Sequence, residues 1–343
     1  MSHRITLFRL KRIKHTIVIL PAFFLLFVLT PETGYGQRTK YKFGDYIQFG
    51  RLELEKGNYT AAIKYLNSAV EQRPASYEGY FLRGIAKYYL DDYIGAELDF
   101  SEAVQSDPFN AEIFHFRAIV RRAQYNLGGV MNDSATAIRL NTKYTLFYLN
   151  RAMTHLFLQN YDSAVADCNR TYDLKYRSEQ VFIIRGIAYR EMEEYENALR
   201  DFDRAILKKP ENTNSYIQRG TVYMDLSKPD SAILDFNHAI TINPNDSYAI
   251  FNRGLARMET KDTIGAFEDL NKVIDLSPRN SYAYYNRAIL LIGRGDKKGA
   301  IKDLDKVVAL NPDNIVVYLY RGRIKAANDD LKGAISDFDK AIE

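Results

Sequence analysis

Residues 183–203 read IIRGIAYREMEEYENALRDFD and contain two short apolar patterns with a break between them. Apolar residues recur every three to four positions, which predicts two helices joined by a turn near Glu193. Arg185 interrupts the apolar face of the first helix, and Asp201 follows sixteen residues later on the second. This pair could serve catalysis, bind a partner or hold the fold together, and the rest of the sequence distinguishes these roles.

The stretch is one copy of a repeat. The 343-residue sequence matches itself at a shift of 34 residues, without insertion, from Phe43 to the last residue. Each unit predicts a helical hairpin of helix A and helix B, and several helices B end at a proline, which cannot continue a helix. A repeat of this length predicts a solenoid. The nine units are 43–76, 77–110, 111–144, 145–178, 179–212, 213–246, 247–280, 281–314 and 315–343.

Small and large residues alternate between the two helices of each unit, whose positions we number from 1 to 34. Position 8 is always Gly or Ala, position 20 is Ala or Val, and position 24 is mostly Phe or Leu, as at Phe202. Small residues at 8 and 20 let the helices approach closely, and the residue at 24 fills the remaining space. Only Ser134 and Cys168 are small at position 24.

This pattern resembles the tetratricopeptide repeat (TPR). The shared features are the 34-residue period, an aromatic residue at position 4, and the residues at positions 8, 20, 24, 27 and 32. The family usually has Trp at position 4 and Leu at position 7, where this chain has Tyr or Phe and Arg, so the chain is similar to a subtype with Arg at 7 and Asp at 23. The resemblance implies an all-α, right-handed superhelix in which helix A lines a concave groove.

Positions 7 and 23 vary together along the chain. Units two to nine have Arg and Asp there, and unit one has Phe49 and Tyr65 instead. Antiparallel helices that turn near position 15 bring positions 7 and 23 to the same level. We therefore predict structural ion pairs that join helix A to helix B or reach the adjacent unit, because so many copies do not suit a catalytic site. The pairs are Arg83 and Asp99, Arg117 and Asp133, Arg151 and Asp167, Arg185 and Asp201, Arg219 and Asp235, Arg253 and Asp269, Arg287 and Asp303, and Arg321 and Asp337.

The resemblance places a partner groove at positions 2, 5, 9, 12 and 13 of helix A. Residues at positions 5 and 9 are mostly apolar, which favours an extended peptide or an amphipathic helix as the ligand. No unit combines Lys at 5 with Asn at 9, the pair with which chaperone-binding members hold a terminal carboxylate. The alternative is that positions 5 and 9 only pack helix against helix. The candidate groove residues at position 5 are Phe81, His115, Leu149, Ile183, Ile217, Phe251 and Tyr285.

Units three and four depart most from the pattern. They lack the terminal proline, and Gly128 and Gly129 stand at the start of helix B in unit three. We consider two explanations, a local bend or partner footprint and simple degeneracy of the repeat. The footprint would include Tyr88, Tyr89, His115 and Arg122.

The N-terminus predicts export. Residues 1–16 carry five Lys or Arg residues and no acid, and residues 17–29 are uncharged but too short to span a bilayer comfortably. We therefore predict a secretory signal peptide at 1–36, cleaved before Gln37, and a linker at 37–42. The protein would be periplasmic or extracellular, and it would meet a membrane only if the signal stays uncleaved.

Charge and motif content exclude several functions. Without residues 1–36 the chain has 42 basic and 42 acidic residues, so net charge gives no support for nucleic-acid binding. The three histidines beyond the signal lack metal-ligand spacing, and no phosphate loop or nucleophile motif occurs. The single cysteine, Cys168, cannot form an intrachain disulfide. We predict a protein without cofactor, metal or catalytic activity.

The last helix is apolar on a face where a further unit would stack. The residues are Leu331, Ile335, Phe338 and Ile342. The predicted function is a scaffold for a protein or peptide partner. The alternative is an assembly factor that forms homo-oligomers through this C-terminal face.

Overall fold

The structure, a computed structural model, describes residues 41–342; the predicted signal peptide and residues 37–40 of the linker lie outside this range. The described residues form eighteen α-helices and no strand, so the fold is an all-α helical repeat solenoid, as the repeat predicts. The helices are α1 (Phe43–Glu55), α2 (Tyr59–Gln72), α3 (Tyr77–Tyr89), α4 (Tyr93–Ser106), α5 (Ala111–Ala123), α6 (Leu127–Leu140), α7 (Thr145–Phe157), α8 (Tyr161–Asp173), α9 (Glu179–Glu191), α10 (Tyr195–Lys208), α11 (Thr213–Asp225), α12 (Pro229–Ile242), α13 (Ser247–Glu259), α14 (Thr263–Leu276), α15 (Ser281–Gly293), α16 (Lys297–Leu310), α17 (Ile315–Ala326) and α18 (Leu331–Ile342).

Each odd-numbered helix begins at the first residue of a 34-residue unit and is helix A of that unit. The contacts divide the chain into an N-terminal part, up to Ser163, and a C-terminal part, from Ala164. Within each part the helices pack on their neighbours in sequence, such as α3 on α4 and α9 on α10. None of the helices between residues 41 and 342 has the length and apolar character needed to cross a membrane.

A left-handed backbone residue at position 15 ends helix A in every unit. The φ angles run from 54° at Ser227 to 78° at Gly295. Only two of these residues are glycine, although an L-residue pays about 1 kcal/mol or more for this conformation. The turn is therefore set by the packing of the two helices and not by a glycine signal. The residues are Gly57, Asp91, Tyr125, Gln159, Glu193, Ser227, Lys261, Gly295 and Asp329.

The following residue, at position 16, caps helix B where it is Asp or Asn and position 19 is glycine. Asp92 accepts a hydrogen bond from the backbone N–H of Gly95, and Asn126 does the same for Gly129. A Cβ atom at Gly95 would lie 2.2 Å from the Asp92 carboxylate, so the cap requires the glycine. Gly129 in unit three therefore has the same capping role as Gly95 in unit two.

The core repeats one small-to-large contact. A Cβ atom at Gly84, Gly186, Gly220 or Gly322 would lie 2.7 to 2.9 Å from the ring of the phenylalanine at position 24 of the same unit. Where position 8 is alanine, as at Ala118 and Ala288, position 24 is the smaller Ser134 or Leu304. The two positions thus compensate in volume. Phe338 follows the same rule, because its ring lies against Gly322 of its own unit, so its predicted orientation towards a further unit is wrong.

Candidate functional site

The arginine at position 7 and the aspartate at position 23 pair through two parallel hydrogen bonds. In unit five, Arg185 Nε donates to Asp201 Oδ2 at 2.7 Å and Arg185 Nη2 donates to Asp201 Oδ1 at 2.8 Å. Asp201 is 2% exposed and Arg185 is 8% exposed. The same two bonds join Arg83 to Asp99, Arg117 to Asp133, Arg219 to Asp235, Arg253 to Asp269, Arg287 to Asp303, and Arg321 to Asp337.

The remaining guanidinium nitrogen of each of these arginines reaches back to position 25 of the preceding unit. Arg185 Nη1 donates to Asn169 Oδ1 at 2.6 Å, and Arg253 Nη1 donates to Asn237 Oδ1 at 2.7 Å. One arginine therefore bonds to both its own helix B and the helix B before it. Both contacts that the sequence predicted as alternatives are therefore present, the ion pair within a unit and the contact with the adjacent unit. The other acceptors are Asn67, Ser101, Asp203, Asn271 and Asp305.

The aromatic residue at position 4 lies beneath the same guanidinium. The Arg83 Cζ atom lies 5.5 Å from the Tyr80 ring centroid, within the range of a cation–π contact. The same contact joins Arg117 to Phe114, Arg219 to Tyr216, Arg287 to Tyr284 and Arg321 to Tyr318, whereas unit seven has Ile250 at position 4. In unit one, where both charges are missing, the Phe49 and Tyr65 rings contact each other with centroids 5.4 Å apart.

The geometry gives these pairs a structural role. The hydrogen bonds that Arg185 donates to Asp201 raise the pKa of Arg185, although burial opposes the shift, so the arginine stays charged. Both carboxylate oxygens of the aspartates accept from arginine, and in some units a second cation at position 11, such as Lys87 on Asp99, approaches as well. A carboxylate engaged in this way is not available as a general base.

The predicted groove residues at position 5 divide into two groups. Phe81, Phe251 and Tyr285 are partly exposed. His115, Leu149, Ile183 and Ile217 are buried, and their assignment to an open contact surface is wrong. Ile217, for example, lies in a cluster with Phe236 of its own unit and Ala249 of the next unit. In these four units position 5 packs helix against helix, which is the alternative that the sequence left open.

Positions 9, 12 and 13 also carry partly exposed apolar side chains on helices A. Met153, Ile187 and Leu255 at position 9 are all partly exposed. Tyr88 and Tyr89, at positions 12 and 13 of unit two, belong to a tyrosine cluster. Tyr89 stacks on Tyr59 with ring centroids 4.7 Å apart and meets the Tyr88 ring edge-on at 5.5 Å.

Arg122 lies at position 12 of unit three, beside this cluster, and is partly exposed. Its Nη1 donates to Asn150 Oδ1 and approaches Met153 Sδ at 3.6 Å. Burial lowers the pKa of Arg122, and no carboxylate among the described residues pairs with it. The Nδ2 atom of Asn150 is also buried and has no hydrogen-bond partner in this part of the chain.

The positive charge of Arg122 acts electrostatically on His115. The rings of Phe116 and Phe147 lie 5.7 and 5.1 Å from the His115 ring, centroid to centroid. Burial lowers the pKa of His115 to about 4, and the positive charge of Arg122 acts in the same direction. His115 is therefore a neutral packing residue at physiological pH.

Sequence reasoning missed the arginine that corresponds to Arg122 in the C-terminal part. Arg190 also stands at position 12 and is buried, but its Nε donates to the carboxylate of Asp225, at position 13 of the following unit. The residue equivalent to Asp225 in the unit after Arg122 is Phe157. The repeat itself contained a signal for this difference. Position 12 is charged only at Arg122 and Arg190, and only Arg190 has an aspartate at position 13 of the following unit.

The other features that could form a functional site are a cysteine, potential metal ligands and a surface depression. Burial raises the pKa of Cys168, whose thiol therefore stays protonated. Within residues 41–342, no group of three or more His, Cys, Asp or Glu side chains is placed to hold a metal ion. A shallow, open depression at the first turn is lined by Gly57, Asn58, Tyr59 and Leu90 and carries no charged side chain.

Comparison with known proteins places this geometry in a family. A family model described as tetratricopeptide repeat matches residues 47–111, and one described as the ETO1 C-terminal domain matches residues 192–343. No curated protein matches the chain in sequence.

Two solved structures show the same fold. A tetratricopeptide repeat protein from Parabacteroides merdae ATCC 43184 has 18% sequence identity and a TM-score of 0.61, and the match covers 73% of this chain and 98% of that one. A chain in the crystal structure of the APC/C hetero-tetramer Cut9-Hcn1 has 14% identity and a TM-score of 0.61, and the match covers 78% of this chain and 52% of that one. The family-model matches, the 34-residue period and the two helices in every unit together identify the chain as a tetratricopeptide-repeat protein.

Proposed function

We propose that this protein is an exported, non-catalytic scaffold that binds another protein in the cell envelope or outside the cell. The observation that carries the proposal is the set of partly exposed apolar and aromatic side chains on helices A. In the N-terminal part they include Phe81, Tyr88 and Met153, and in the C-terminal part they include Ile187, Phe251, Leu255 and Tyr285. Apolar and aromatic anchors of this kind dominate the binding energy of protein interfaces. The arginines at position 7 of the same helices are occupied in structural pairs, as Arg83 is with Asp99, so the exposed anchors are mainly apolar.

The ligand that fits this surface is an extended peptide or an amphipathic helix, because both present side chains at regular intervals to a row of anchors. The balanced charge of the chain without residues 1–36 argues against nucleic acid as the partner. Export is inferred from the charge and apolar pattern of residues 1–36.

Selection of peptides from a random displayed library tests the proposal. Enriched peptides should bind the wild-type protein, and Leu255→Glu should weaken binding roughly tenfold or more because it places a charge among the apolar anchors. Ile264→Glu, at a position 69% exposed on α14, is the matched control and should bind as the wild type does. Equal binding by both variants, or no enriched peptide at all, would contradict the proposal.

A second candidate function is assembly of the protein with itself through α18. Leu331, Ile335 and Ile342 are 63%, 60% and 83% exposed. Apolar residues grouped on one exposed helix face favour association. Light scattering at several concentrations should then show a mass that rises above the monomer, and Ile335→Asp should abolish the rise. A monomeric mass throughout would remove this candidate.

A further inference from the structure

Arg122 is a cation without an anion among the described residues. Its contacts are Asn150, a neutral amide, and the thioether sulfur of Met153. An ionised group surrounded by protein is costly unless it is paired, and natural proteins pair such groups or use them to bind charged ligands. Arg122 keeps partial exposure, so an anion from outside can reach it.

The neighbouring side chains do not supply the missing charge. Burial is the main cause that raises the pKa of Tyr88, so its phenol stays neutral at physiological pH. His115 is neutral as well, for the reason given above. Asn150 contributes a second donor, because its buried Nδ2 has no partner in this part of the chain. The described surroundings of Arg122 thus combine one positive charge and one unused N–H group with apolar and aromatic side chains.

A second unit of the repeat shows which chemical group pairs with an arginine at position 12. Arg190 has the same position in its unit as Arg122, and the side chain of Asp225 in the next unit neutralises it. Phe157 replaces that aspartate in the unit after Arg122. In one unit an aspartate side chain completes the site from within the chain, and in the other an apolar ring takes its place.

We propose that Arg122, with the Asn150 amide, binds an aspartate or glutamate side chain of the partner protein, whose flanking apolar residues rest on Tyr88, Met153 and Phe157. This inference rests on the proposed function, because it names a chemical feature of the peptide ligand. A side-chain carboxylate is favoured over a chain terminus, because the internal counterpart at Arg190 is an aspartate side chain.

Peptide selection on the full-length chain tests the site. The library is displayed without a free C-terminus, so only side-chain carboxylates are available. Peptides enriched on the wild type should carry an acid between apolar residues. A synthetic copy should bind roughly tenfold or more weakly to Arg122→Met, and equally weakly when its acid is changed to the amide. Arg190→Met is the matched control and should keep the wild-type affinity.

The outcomes separate this inference from the function on which it rests. Enriched peptides that bind wild type and Arg122→Met equally would overturn the carboxylate site and leave the scaffold intact. The absence of any enriched peptide would count against both. A synthetic peptide with no acidic side chain that binds only through its free C-terminal carboxylate, and loses that binding in Arg122→Met, would overturn the choice of a side chain.

A second pair of variants tests whether an acid placed on the chain itself can pair with Arg122. Phe157→Asp should reproduce the pairing of Asp225 with Arg190, and Phe157→Asn removes the ring without adding charge. We expect the aspartate variant to melt at a higher temperature than the asparagine variant at neutral pH and to bind the selected peptide roughly tenfold or more weakly. Equal melting temperatures and equal peptide binding would overturn the proposal.

Discussion

Arg185 and Asp201 show how one residue pair can serve an entire repeat. The guanidinium makes two bonds to Asp201 and one to Asn169, and it lies over the ring of Phe182 at 6.0 Å. Its Nε and Nη2 atoms donate to Asp201 on α10, and its Nη1 atom donates to Asn169 on α8. Planar geometry with several donors explains why arginine and not lysine stands at position 7 in units two to nine.

Removal of either partner should leave a buried charge without its counter-ion. We expect Arg185→Met and Asp201→Ala each to lower the free energy of unfolding by about 3–5 kcal/mol, and the double variant to lose clearly less than the sum. Chemical denaturation of the four proteins measures this coupling. Arg200→Met, in the exposed pair with Glu196, is the control and should change stability little. Small, additive losses at Arg185 and Asp201 would disprove the structural role.

His115 should make stability depend on acid. Its folded-state pKa of about 4 lies below the ordinary value of 6.5, so the unfolded chain binds the proton more readily. The stabilising contribution is therefore complete above about pH 6.5 and is lost as the pH falls towards 4, an effect of about 3 kcal/mol. We expect His115→Phe to lose less stability than the wild type between pH 7 and pH 4. An identical loss in both proteins, measured by urea unfolding, would contradict this.

At the scale of the helix pair, the short distance between helix A and helix B determines which residues fit at the contact positions. The glycines at position 8 leave room for the phenylalanine at position 24, and the glycines at position 19 leave room for the capping carboxylate. Both glycines lie inside or at the start of helices, where they lower helix propensity. Packing and capping outweigh that loss, so a glycine such as Gly129 that departs from the repeat pattern can still stabilise a helix start.

Gly186→Ala should therefore destabilise the protein. The added Cβ would lie 2.8 Å from the ring of Phe202, and overpacking of this kind costs about 1–3 kcal/mol. Gly254→Ala is the matched control, because its Cβ would meet Asp269 Cβ at 3.3 Å and Leu270 Cγ at 3.7 Å. Thermal melting should show a loss only for Gly186→Ala, with recovery when Phe202→Leu is added. Equal melting temperatures for the two alanine variants would refute the volume rule.

At the scale of the whole chain, the arginines at position 7 join neighbouring units as well as the two helices of their own unit. Each contact from position 7 to position 25 of the preceding unit joins neighbours, as from Arg321 to Asp305 at 2.6 Å. Nearest-neighbour terms of this kind govern the stability of repeat arrays. The chain has a single cysteine, so this packing carries the stability without an intrachain disulfide.

Export should remove the first 36 residues. We expect the intact mass of the protein recovered from the cell envelope or medium to correspond to a chain that begins at Gln37, because small residues precede that site. Mass spectrometry of the secreted protein checks the prediction. A mass that retains residues 1–36 would show that the segment remains as an anchor.

The sequence alone determined the period, the hairpins and the pairing of positions 7 and 23, because nine copies in one chain act as an internal alignment. Helix register follows from local apolar spacing, so it can be read without the structure. Only the tertiary structure decided that Ile183 and Ile217 are buried, that a third arginine bond reaches position 25, and that the side chain of Arg190 contacts Asp225. Exposure and charge pairing depend on side chains from the next unit, about 30 residues away, and local periodicity carries no information about them.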